Sequence, residues 1–317
     1  MDQIKEVELF LDRIRRFYKN RGYTEVVTPY LLPYPNLDEN IYPVSCKVGT
    51  LSRKTKTFYL HTSPEYSMKK LLATYRRDIF QICHVFRNFE GGKLHDVEFL
   101  MLEYYKIGKD YTYLMEELEE LIKTLFGPKI TYKGRTIDTS FERLSLKEAF
   151  KRFLDIELNL ESEELFKKEL ERVGINFQPD EDLETLFFRA YIELERYLGF
   201  ERPTVLYGYP EPFGALARCK NGICERFELY IFGIELANGY TEINDPDEIE
   251  KRLLKTSQRL NLPLDRTFVE IHRDLPDLYS GVSVGLDRLL AIKLNLDSIW
   301  HLYYRKLKED KIEKDAF

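Results

Sequence analysis

The sequence predicts an α+β fold in which helices flank an antiparallel β-sheet. Two stretches, residues 79–107 and 225–245, each contain two β-rich arms around a break, which is typical of β-hairpins. Apolar residues recur at helical spacing in residues 4–18 and 114–125, and a mostly helical pattern returns across residues 145–198. Hairpins build antiparallel sheets, and the periodic segments supply the helices that cover them.

The hairpin at residues 79–107 has the most informative composition. Its arms are residues 79–87 and 97–107, and a polar loop that contains glycines joins them. Strand alternation places Phe99, Met101, Glu103 and Tyr105 on one face of the second arm. Aromatic rings, a carboxylate and a phenol rarely share a buried strand face without a ligand, so this face is predicted to line a binding site.

Arg87 ends the first arm of this hairpin. Its planar guanidinium can bind a phosphate or a carboxylate through two parallel hydrogen bonds. A surface ion pair with Glu90 or Glu98 is the alternative, and for an isolated arginine it is the more common outcome.

The chain opens with an amphipathic helix that ends near residues 20–22, and a strand follows at residues 23–28. Residues 31–56 show little periodicity and are predicted as loop with short strands. Ser63, Pro64 and Glu65 mark the start of another helix, with serine as the cap and glutamate near the positive end of the dipole. The apolar positions of the first helix are Ile4, Val7, Leu11, Ile14 and Tyr18.

The helix over residues 114–125 should end before Gly127 and Pro128, and residues 129–139 suggest a small hairpin around Lys133 and Gly134. No Gly-, Ser- or Pro-rich linker divides the chain, so a single domain over residues 1–317 is expected. Periodicity is lost after Leu296, and the mixed-charge tail at about 305–317 is predicted to be mobile.

Two carboxylates are predicted to approach each other in the hairpin at residues 225–245. If its strands meet at Phe232 and Gly233, Tyr230 pairs with Glu235, and Glu228 lies on the same face, roughly 7 Å away between Cα atoms. Carboxylates so placed can share a divalent cation. A pair of solvent-facing acids on a sheet edge is the alternative.

Composition narrows the class of partner. The formal net charge is −6, whereas a domain that binds mainly nucleic acid is more often basic, which weakly disfavours tRNA. The four cysteines lack paired CxxC spacing, so a zinc site is not expected and reduced thiols are, although Cys219 and Cys224 can approach across a turn. The N-terminal residues lack a signal-peptide core and no apolar run reaches membrane-spanning length, so a cytoplasmic protein is expected.

Three segments resemble the motifs of class II aminoacyl-tRNA synthetases. Residues 22–31 resemble motif 1, residues 86–105 resemble motif 2 in its lysyl form, and residues 281–292 resemble motif 3. The closest resemblance is to the elongation factor P lysyl or (R)-β-lysyl ligases, a family similar to lysyl-tRNA synthetase without its anticodon-binding domain. It implies the class II catalytic domain, with a helical insertion at about 110–200 and a homodimer formed through the first helix and strand.

The resemblance also implies a reaction and roles for residues. Lysine or (R)-β-lysine would be activated with ATP and Mg²⁺ as an aminoacyl-adenylate and then transferred to a lysine of elongation factor P. Arg87 would bridge the amino-acid carboxylate and the α-phosphate, and Arg288 would bind the γ-phosphate. Glu228 and Glu235 would hold Mg²⁺. Further ATP-binding positions are Asn88, His95, Asp96, Phe99, Glu235, Leu236 and Gly285, and the amino-acid pocket comprises Ser63, Glu65, Glu103, Tyr105, Asn238, Glu242 and Ser283.

The acidic set of Glu65, Glu103 and Glu242 predicts the substrate class. Carboxylates buried together repel unless an ammonium group pairs with them, so the substrate should be a diamino acid such as lysine or β-lysine. Ser283 stands where lysyl-tRNA synthetases have glycine and the ligases have alanine. A side chain there should crowd an α-amino group, which predicts a preference for β-lysine.

Three departures concern ATP binding. Phe89 replaces the glutamate of motif 2, with Glu90 adjacent, Leu94 replaces an arginine of many lysyl synthetases, and Asp96 and Val97 replace Asn-Pro. Three functions stay open at this point: a ligase that modifies elongation factor P, a small synthetase that charges tRNA or another carrier, and a non-catalytic paralogue. A non-catalytic paralogue would be expected to lose Arg87, Arg288 or the glutamate pair, and all are present.

Overall fold

The computed structural model describes residues 2–49 and 51–308. The strands are β1 (Thr24–Glu25), β2 (Leu31–Leu32), β3 (Tyr42–Gly49), β4 (Thr55–Leu60), β5 (Ile79–Asn88), β6 (Glu98–Ile107), β7 (Lys129–Tyr132), β8 (Arg135–Asp138), β9 (Glu142–Ser145), β10 (Thr204–Pro210), β11 (Cys219–Lys220), β12 (Ile223–Ile231), β13 (Ile234–Thr241) and β14 (Tyr279–Gly285).

The helices are α1 (Gln3–Lys19), α2 (Glu65–Tyr75), α3 (Tyr111–Phe126), α4 (Leu146–Ala149), α5 (Glu163–Val173), α6 (Leu183–Glu195), α7 (Pro246–Leu260), α8 (Arg266–Glu270) and α9 (Leu286–Lys293). A π-helical turn, Phe150–Leu154, continues α4. Short 3₁₀ helices occupy Glu211–Phe213, Ile271–Arg273, Ile299–His301 and Lys306–Lys308.

Apart from the β7–β8 hairpin, these strands form one sheet. Its order is β2-β4-β3-β5-β6-β14-β13-β12-β10-β9, and β1 and β11 join it beside β5 and β12. Neighbouring strands are antiparallel except for the pairs β1–β5 and β9–β10. The predicted α+β fold with an antiparallel sheet flanked by helices is therefore confirmed.

One face of this sheet carries the main hydrophobic core. Helix α1 begins because the Asp2 side chain accepts hydrogen bonds from the first backbone N–H groups, and its apolar stripe, which includes Ile14, packs inward. Helices α3 and α9 cover the same face, where Leu102 and Tyr104 of β6 are buried. Alternation along β6 therefore sends Glu103 and Tyr105 to the opposite face.

A second hydrophobic cluster joins α4, α5 and α6 to β10 and β12. Phe166 of α5 and Phe187 of α6 lie at its centre, and Tyr209 and Tyr230 contribute from the strands. Helix α3 lies within the range predicted for the helical insertion, but it packs in the main core.

Most local predictions match the structure, and the differences have physical reasons. The β5–β6 and β7–β8 hairpins and the Tyr230–Glu235 pairing are as predicted. Helix α2 begins at Glu65, but the prediction of Ser63 as its cap is wrong, because Pro64 takes the cap position and no side chain caps the helix; the Ser63 hydroxyl accepts a hydrogen bond from the Glu65 N–H at 3.2 Å. The hairpin of β3 and β4 was predicted only as loop and short strands, because neither strand has a fully buried residue and its sequence therefore lacks a clear apolar period.

The predicted mobile tail begins too early. Arg305 is 2% exposed, and its guanidinium forms ion pairs with Asp96 and Asp287. Since a buried arginine needs such partners, the fold extends at least to this residue. The part of the tail at residues 309–317 lies outside the described residues.

The expectation of reduced thiols was wrong at one pair of cysteines. Cys219 and Cys224 form a disulfide across the β11–β12 turn, where the two residues are directly paired. Cys46 and Cys83 are free thiols. The disulfide between Cys219 and Cys224 depends on the register of the two-residue strand β11, which cysteine spacing alone does not reveal.

Candidate active site

Two rows of side chains cross the sheet on the face opposite the main core. Glu228, Asn238, Ser283 and Glu103 occupy directly paired positions on β12, β13, β14 and β6. Directly paired residues of antiparallel strands lie on the same face, so register alone brings these four together. The next row on this face contains Arg226, Tyr240, Gly281 and Tyr105.

The rows line a cavity of about 940 Å³. Asn88 is the one residue of the predicted site that does not line it, and its side chain instead accepts a hydrogen bond from the Phe89 N–H at 3.1 Å. The predicted site residues that line the cavity are Ser63, Glu65, Arg87, His95, Asp96, Phe99, Glu103, Tyr105, Glu228, Glu235, Leu236, Asn238, Glu242, Ser283, Gly285 and Arg288.

Arg87 projects into the cavity from the end of β5. Its Nε donates to the carbonyl of Thr62 at 3.3 Å, and its guanidinium lies 5.1 Å from the centre of the Phe99 ring. The two acids considered as alternative partners lie against histidines, Glu90 against His95 at 3.0 Å and Glu98 against His84 at 3.0 Å. Arg87 is therefore oriented by a carbonyl and an aromatic ring, and its charge is available to an anionic ligand.

Arg288 lies on the first turn of α9 and is held by two other segments. Its Nε donates to the Leu94 carbonyl at 3.1 Å, and its Nη1 donates to the Glu235 carbonyl at 2.8 Å. Its Nη2 lies 2.8 Å from Nδ1 of His95. These contacts connect the loop between β5 and β6 to β13 and fix the guanidinium at the cavity wall.

Residues 298–305 anchor the loop between β5 and β6 from behind. The Ile299 N–H donates to the Lys93 carbonyl at 2.9 Å, and the Trp300 indole N–H donates to the Gly92 carbonyl at 2.9 Å. Arg305 binds Asp96 and Asp287 at the same place. The carboxylate of Asp96, predicted as an ATP-binding group, is thus engaged by Arg305.

Phe89, which stands where motif 2 has glutamate, does not line the cavity. Phe89 is 80% exposed at a positive φ of 62°, and its ring meets that of Tyr42 edge-on. Glu90 lines the cavity instead, and its hydrogen bond to His95 lowers the pKa of its carboxyl. An ionised carboxylate is therefore present in this part of the cavity.

Glu228 and Glu235 lie on interior strands, so they are not acids on a sheet edge. Burial, and then the nearby Glu228, raise the pKa of the Glu235 carboxyl, while Arg288 acts in the opposite direction. A cation bound to both carboxylates would relieve this repulsion. The Glu235 carboxylate meets Arg288 only at 3.7 Å, which leaves it accessible to a further cation.

Tyrosines hold the Glu228 carboxylate. Its Oε2 accepts hydrogen bonds from the hydroxyls of Tyr191 at 2.6 Å and Tyr230 at 2.7 Å, and its Oε1 lies 2.5 Å from the Arg226 guanidinium. The Tyr230 hydroxyl is also 3.0 Å from Glu195, where burial raises the carboxyl pKa to about 7. Glu228 is thus oriented by α6 and by its own strand.

The acidic pocket contains the three predicted carboxylates, Glu65, Glu103 and Glu242, together with a lysine that was not predicted. Burial, followed by repulsion from Glu65, raises the pKa of the Glu103 carboxyl to about 8, although the Tyr105 hydroxyl donates to it at 2.7 Å. Lys69 lies between the other two carboxylates, 2.6 Å from Glu65 and 2.6 Å from Glu242. The protein therefore supplies one of the ammonium groups that this pocket requires.

Glycine at position 281 allows the pocket to form. A Cβ atom there would lie 2.4 Å from the Tyr105 ring and 2.7 Å from the Glu242 carboxylate. Next to it, the Ser283 hydroxyl donates to the Asn238 carbonyl at 3.4 Å, which leaves its oxygen able to accept a hydrogen bond. Both positions therefore shape the wall that faces Glu103.

Sequence reasoning missed several of these groups. Lys69 follows Glu65 by four residues on a helix, a spacing that places the two side chains on one face. Tyr191 and Arg305 approach from segments far along the chain, and no local pattern indicates their partners.

Comparisons with known proteins show the family of this chain. A family model described as class II tRNA synthetases of the D, K and N type matches residues 3–304. A protein of Aquifex aeolicus named elongation factor P–(R)-β-lysine ligase homolog is 50% identical over 306 residues, covering 96% of this chain and 100% of that protein.

Two proteins named elongation factor P–(R)-β-lysine ligase are also similar. The Haemophilus ducreyi protein is 35% identical over 298 residues, covering 90% of this chain and 88% of its own length. The Pasteurella multocida protein is 34% identical over 299 residues, covering 90% of this chain and 89% of its own length. None of the helices described is long and apolar enough to cross a membrane. The chain belongs to the elongation factor P–(R)-β-lysine ligase family, within the class II tRNA synthetases.

Proposed function

We propose that this enzyme uses ATP to activate lysine or (R)-β-lysine as an aminoacyl-adenylate and transfers the aminoacyl group to a lysine side chain of elongation factor P. The observation that carries the proposal is the position of the acidic pocket, which shares one cavity with Arg87, Phe99 and Arg288. A diamino acid bound by Glu103 and Glu242 would direct its carboxylate away from the acids and toward Arg87.

The first step forms a bond between a carboxylate oxygen of the amino acid and the α-phosphorus of ATP, and pyrophosphate leaves. This step needs no protein nucleophile, and Arg87 would neutralise negative charge on both reactants. Phe99, already beside Arg87, offers an aromatic face to the adenine ring, and Arg288 would bind the γ-phosphate. In the second step the acceptor amine attacks the carbonyl carbon, and AMP leaves.

Magnesium ion fits the Glu228 and Glu235 pair, because both supply carboxylate oxygens and because burial, followed by repulsion from Glu228, raises the pKa of the Glu235 carboxyl. When bound, the ion would neutralise the polyphosphate and stabilise the leaving pyrophosphate. Within residues 2–49 and 51–308, no group of three or more His, Cys, Asp and Glu side chains is placed to hold a metal ion. We therefore propose that these glutamates bind Mg²⁺ together with phosphate oxygens, while Tyr191 and Tyr230 orient Glu228.

The proposed acceptor is a protein, and tRNA is the alternative acceptor. The net charge of −6 supports a protein acceptor, because tRNA binding usually relies on basic surface. We also propose a cytoplasmic homodimer formed through the motif 1 region, where Val27 is 89% exposed and Leu31 is 39% exposed. Apolar side chains so exposed favour an interface with a second copy.

The test is to incubate the protein with ATP, Mg²⁺ and each lysine isomer together with elongation factor P or tRNA, and to weigh the products. A mass increase of elongation factor P by one lysyl residue supports the proposal. Elongation factor P with its target lysine replaced by arginine is the control for position. Modification of tRNA alone would refute the protein acceptor and favour a tRNA-charging enzyme.

A further inference from the structure

Lys69 is a buried lysine inside the acidic pocket. Its side chain has no exposed surface, and its Nζ lies 2.6 Å from Oε1 of Glu65 and 2.6 Å from Oε2 of Glu242. The rings of Phe268 and Tyr279 are 5.9 Å and 6.0 Å from the ammonium nitrogen. Helix α2 produces this arrangement, because residues four apart on a helix are neighbours on its surface.

Every element packed around Lys69 contributes an acid, a phenol or a neutral group. Burial and the nearby Lys69 lower the pKa of His272 to about 4, so that imidazole adds no charge near neutral pH. Glu242 and Glu65 raise the pKa of Lys69 against the effect of burial, so Lys69 remains an ammonium. The ionisable groups around it are Glu65 on α2, Glu103 and Tyr105 on β6, Tyr240 and Glu242 on and after β13, His272, and Tyr279 on β14.

When Glu65, Glu103 and Glu242 are all ionised, three carboxylates and one ammonium leave two negative charges for a ligand to balance; burial raises the pKa values of Glu103 and Glu242 to about 8, and ligand ammonium groups favour their ionised forms. Glu103 has the Tyr105 hydroxyl beside it but does not contact Lys69, so it offers one position for a ligand cation. Glu65 and Glu242 each use one oxygen on Lys69 and keep the other for a second ligand cation. A buried site is stable only when such charges are matched.

We infer that Lys69 is a built-in counter-ion that sets the number of ammonium groups the pocket accepts at two. Lys69 is a positioning residue, since it acts on the ligand through Glu65 and Glu242. The inference rests on the proposed function only in identifying the two ammonium groups as those of lysine or β-lysine. Without Lys69, the same three acids would favour a third cation or retain a proton.

A comparison of variants separates charge matching from a purely structural role. The proteins are wild type, Glu242→Gln, and Glu242→Gln combined with Lys69→Met. Binding of L-lysine and of 1,5-diaminopentane is measured by calorimetry at pH 7 and pH 9. Because 1,5-diaminopentane has two ammonium groups and no carboxylate, its binding reports the pocket without the chemistry of activation.

Glu242→Gln should weaken binding of 1,5-diaminopentane, because one negative charge then remains for two ammonium groups. Adding Lys69→Met restores two uncompensated negative charges and should recover affinity by roughly tenfold or more. Lys70→Met in the same Glu242→Gln background is the matched control. Lys70 is the next residue of α2 and pairs with Asp265 at 2.6 Å, so its loss should recover nothing.

The inference is overturned if the combined variant binds 1,5-diaminopentane no more tightly than Glu242→Gln, or if wild type does not bind it. Should the combined variant fail to fold, as judged by thermal melting, Glu65→Gln with and without Lys69→Met provides the same comparison. Wild type that binds both ligands but forms no adenylate would refute the proposed function and leave this inference standing.

Discussion

Substituting Gly281 by alanine should damage the amino-acid pocket while leaving the ATP side of the cavity intact. The added Cβ would lie 2.4 Å from Cε1 of Tyr105 and 2.7 Å from Oε1 of Glu242. Carbon atoms in contact are normally about 3.5–4.0 Å apart, so the Tyr105 ring must move by about 1 Å. Neither neighbour moves freely, since Tyr105 donates to Glu103 at 2.7 Å and Glu242 binds Lys69 at 2.6 Å.

A displacement of about 1 Å in a positioning group can cost about 10²-fold in activity, so we expect kcat/KM for lysine to fall by about that factor. Overpacking should also reduce the free energy of unfolding by about 1–3 kcal/mol. The assay is amino-acid-dependent pyrophosphate exchange, with KM measured separately for lysine and for ATP. Gly49→Ala is the matched control, because a Cβ at Gly49 meets nothing within 4 Å. A lysine kcat/KM for Gly281→Ala within about threefold of this control would refute the steric argument.

Arg87→Ala should lower adenylate formation by roughly 10²- to 10³-fold, because the α-phosphate loses its neutralising cation, and exchange within about tenfold of wild type would contradict that role. Glu228→Gln and Glu235→Gln should each raise the Mg²⁺ concentration needed for activity without unfolding the protein, although Glu228→Gln should lower the melting temperature because Arg226 loses its buried partner. An unchanged Mg²⁺ requirement in the double variant would refute the metal assignment. Ser283→Gly should improve the use of α-lysine relative to β-lysine by about 1–3 kcal/mol in transition-state discrimination, measured by exchange with both isomers, and an unmoved ratio would exclude Ser283 as selector. The KM for lysine should fall as the pH rises from 7 to 9. The Glu103 carboxyl has a pKa of about 8, so it is mostly protonated at pH 7 and mostly ionised at pH 9, and the ionised form binds an ammonium group better. Glu103→Gln should reduce this pH dependence, and what remains should come from Glu242, because burial raises the pKa of that carboxyl to about 8 as well.

The strands that form the site were predictable because their side chains alternate. Glu103 and Tyr105 share a strand with Leu102 and Tyr104, and the polar residues face the cavity while the apolar residues face the core. The pairing of Tyr230 with Glu235 followed from the position of the turn. These features depend on neighbours along the chain, which a sequence displays directly.

The groups that the sequence did not reveal act across long separations. Arg305 binds Asp96, which lies 209 residues earlier in the chain. It was predicted to be mobile because its own segment lacks periodicity. Tyr191 reaches Glu228 from the helical segment, which offered no chemistry when considered alone. A side chain that completes a charge network is visible only when the network is assembled.

Lys69 changes the charge argument on which the substrate prediction rests. The sequence argument required that an ammonium group balance the buried acids and assigned that need to the substrate, whereas Lys69 already balances part of it. The conclusion survives because Glu65, Glu103 and Glu242 together exceed the charge of one lysine. Had the pocket contained only two acids, Lys69 would have left one uncompensated charge, and an amino acid with a single ammonium group would have matched it. The number of carboxylates relative to Lys69, and not their presence alone, is therefore what favours a diamino acid.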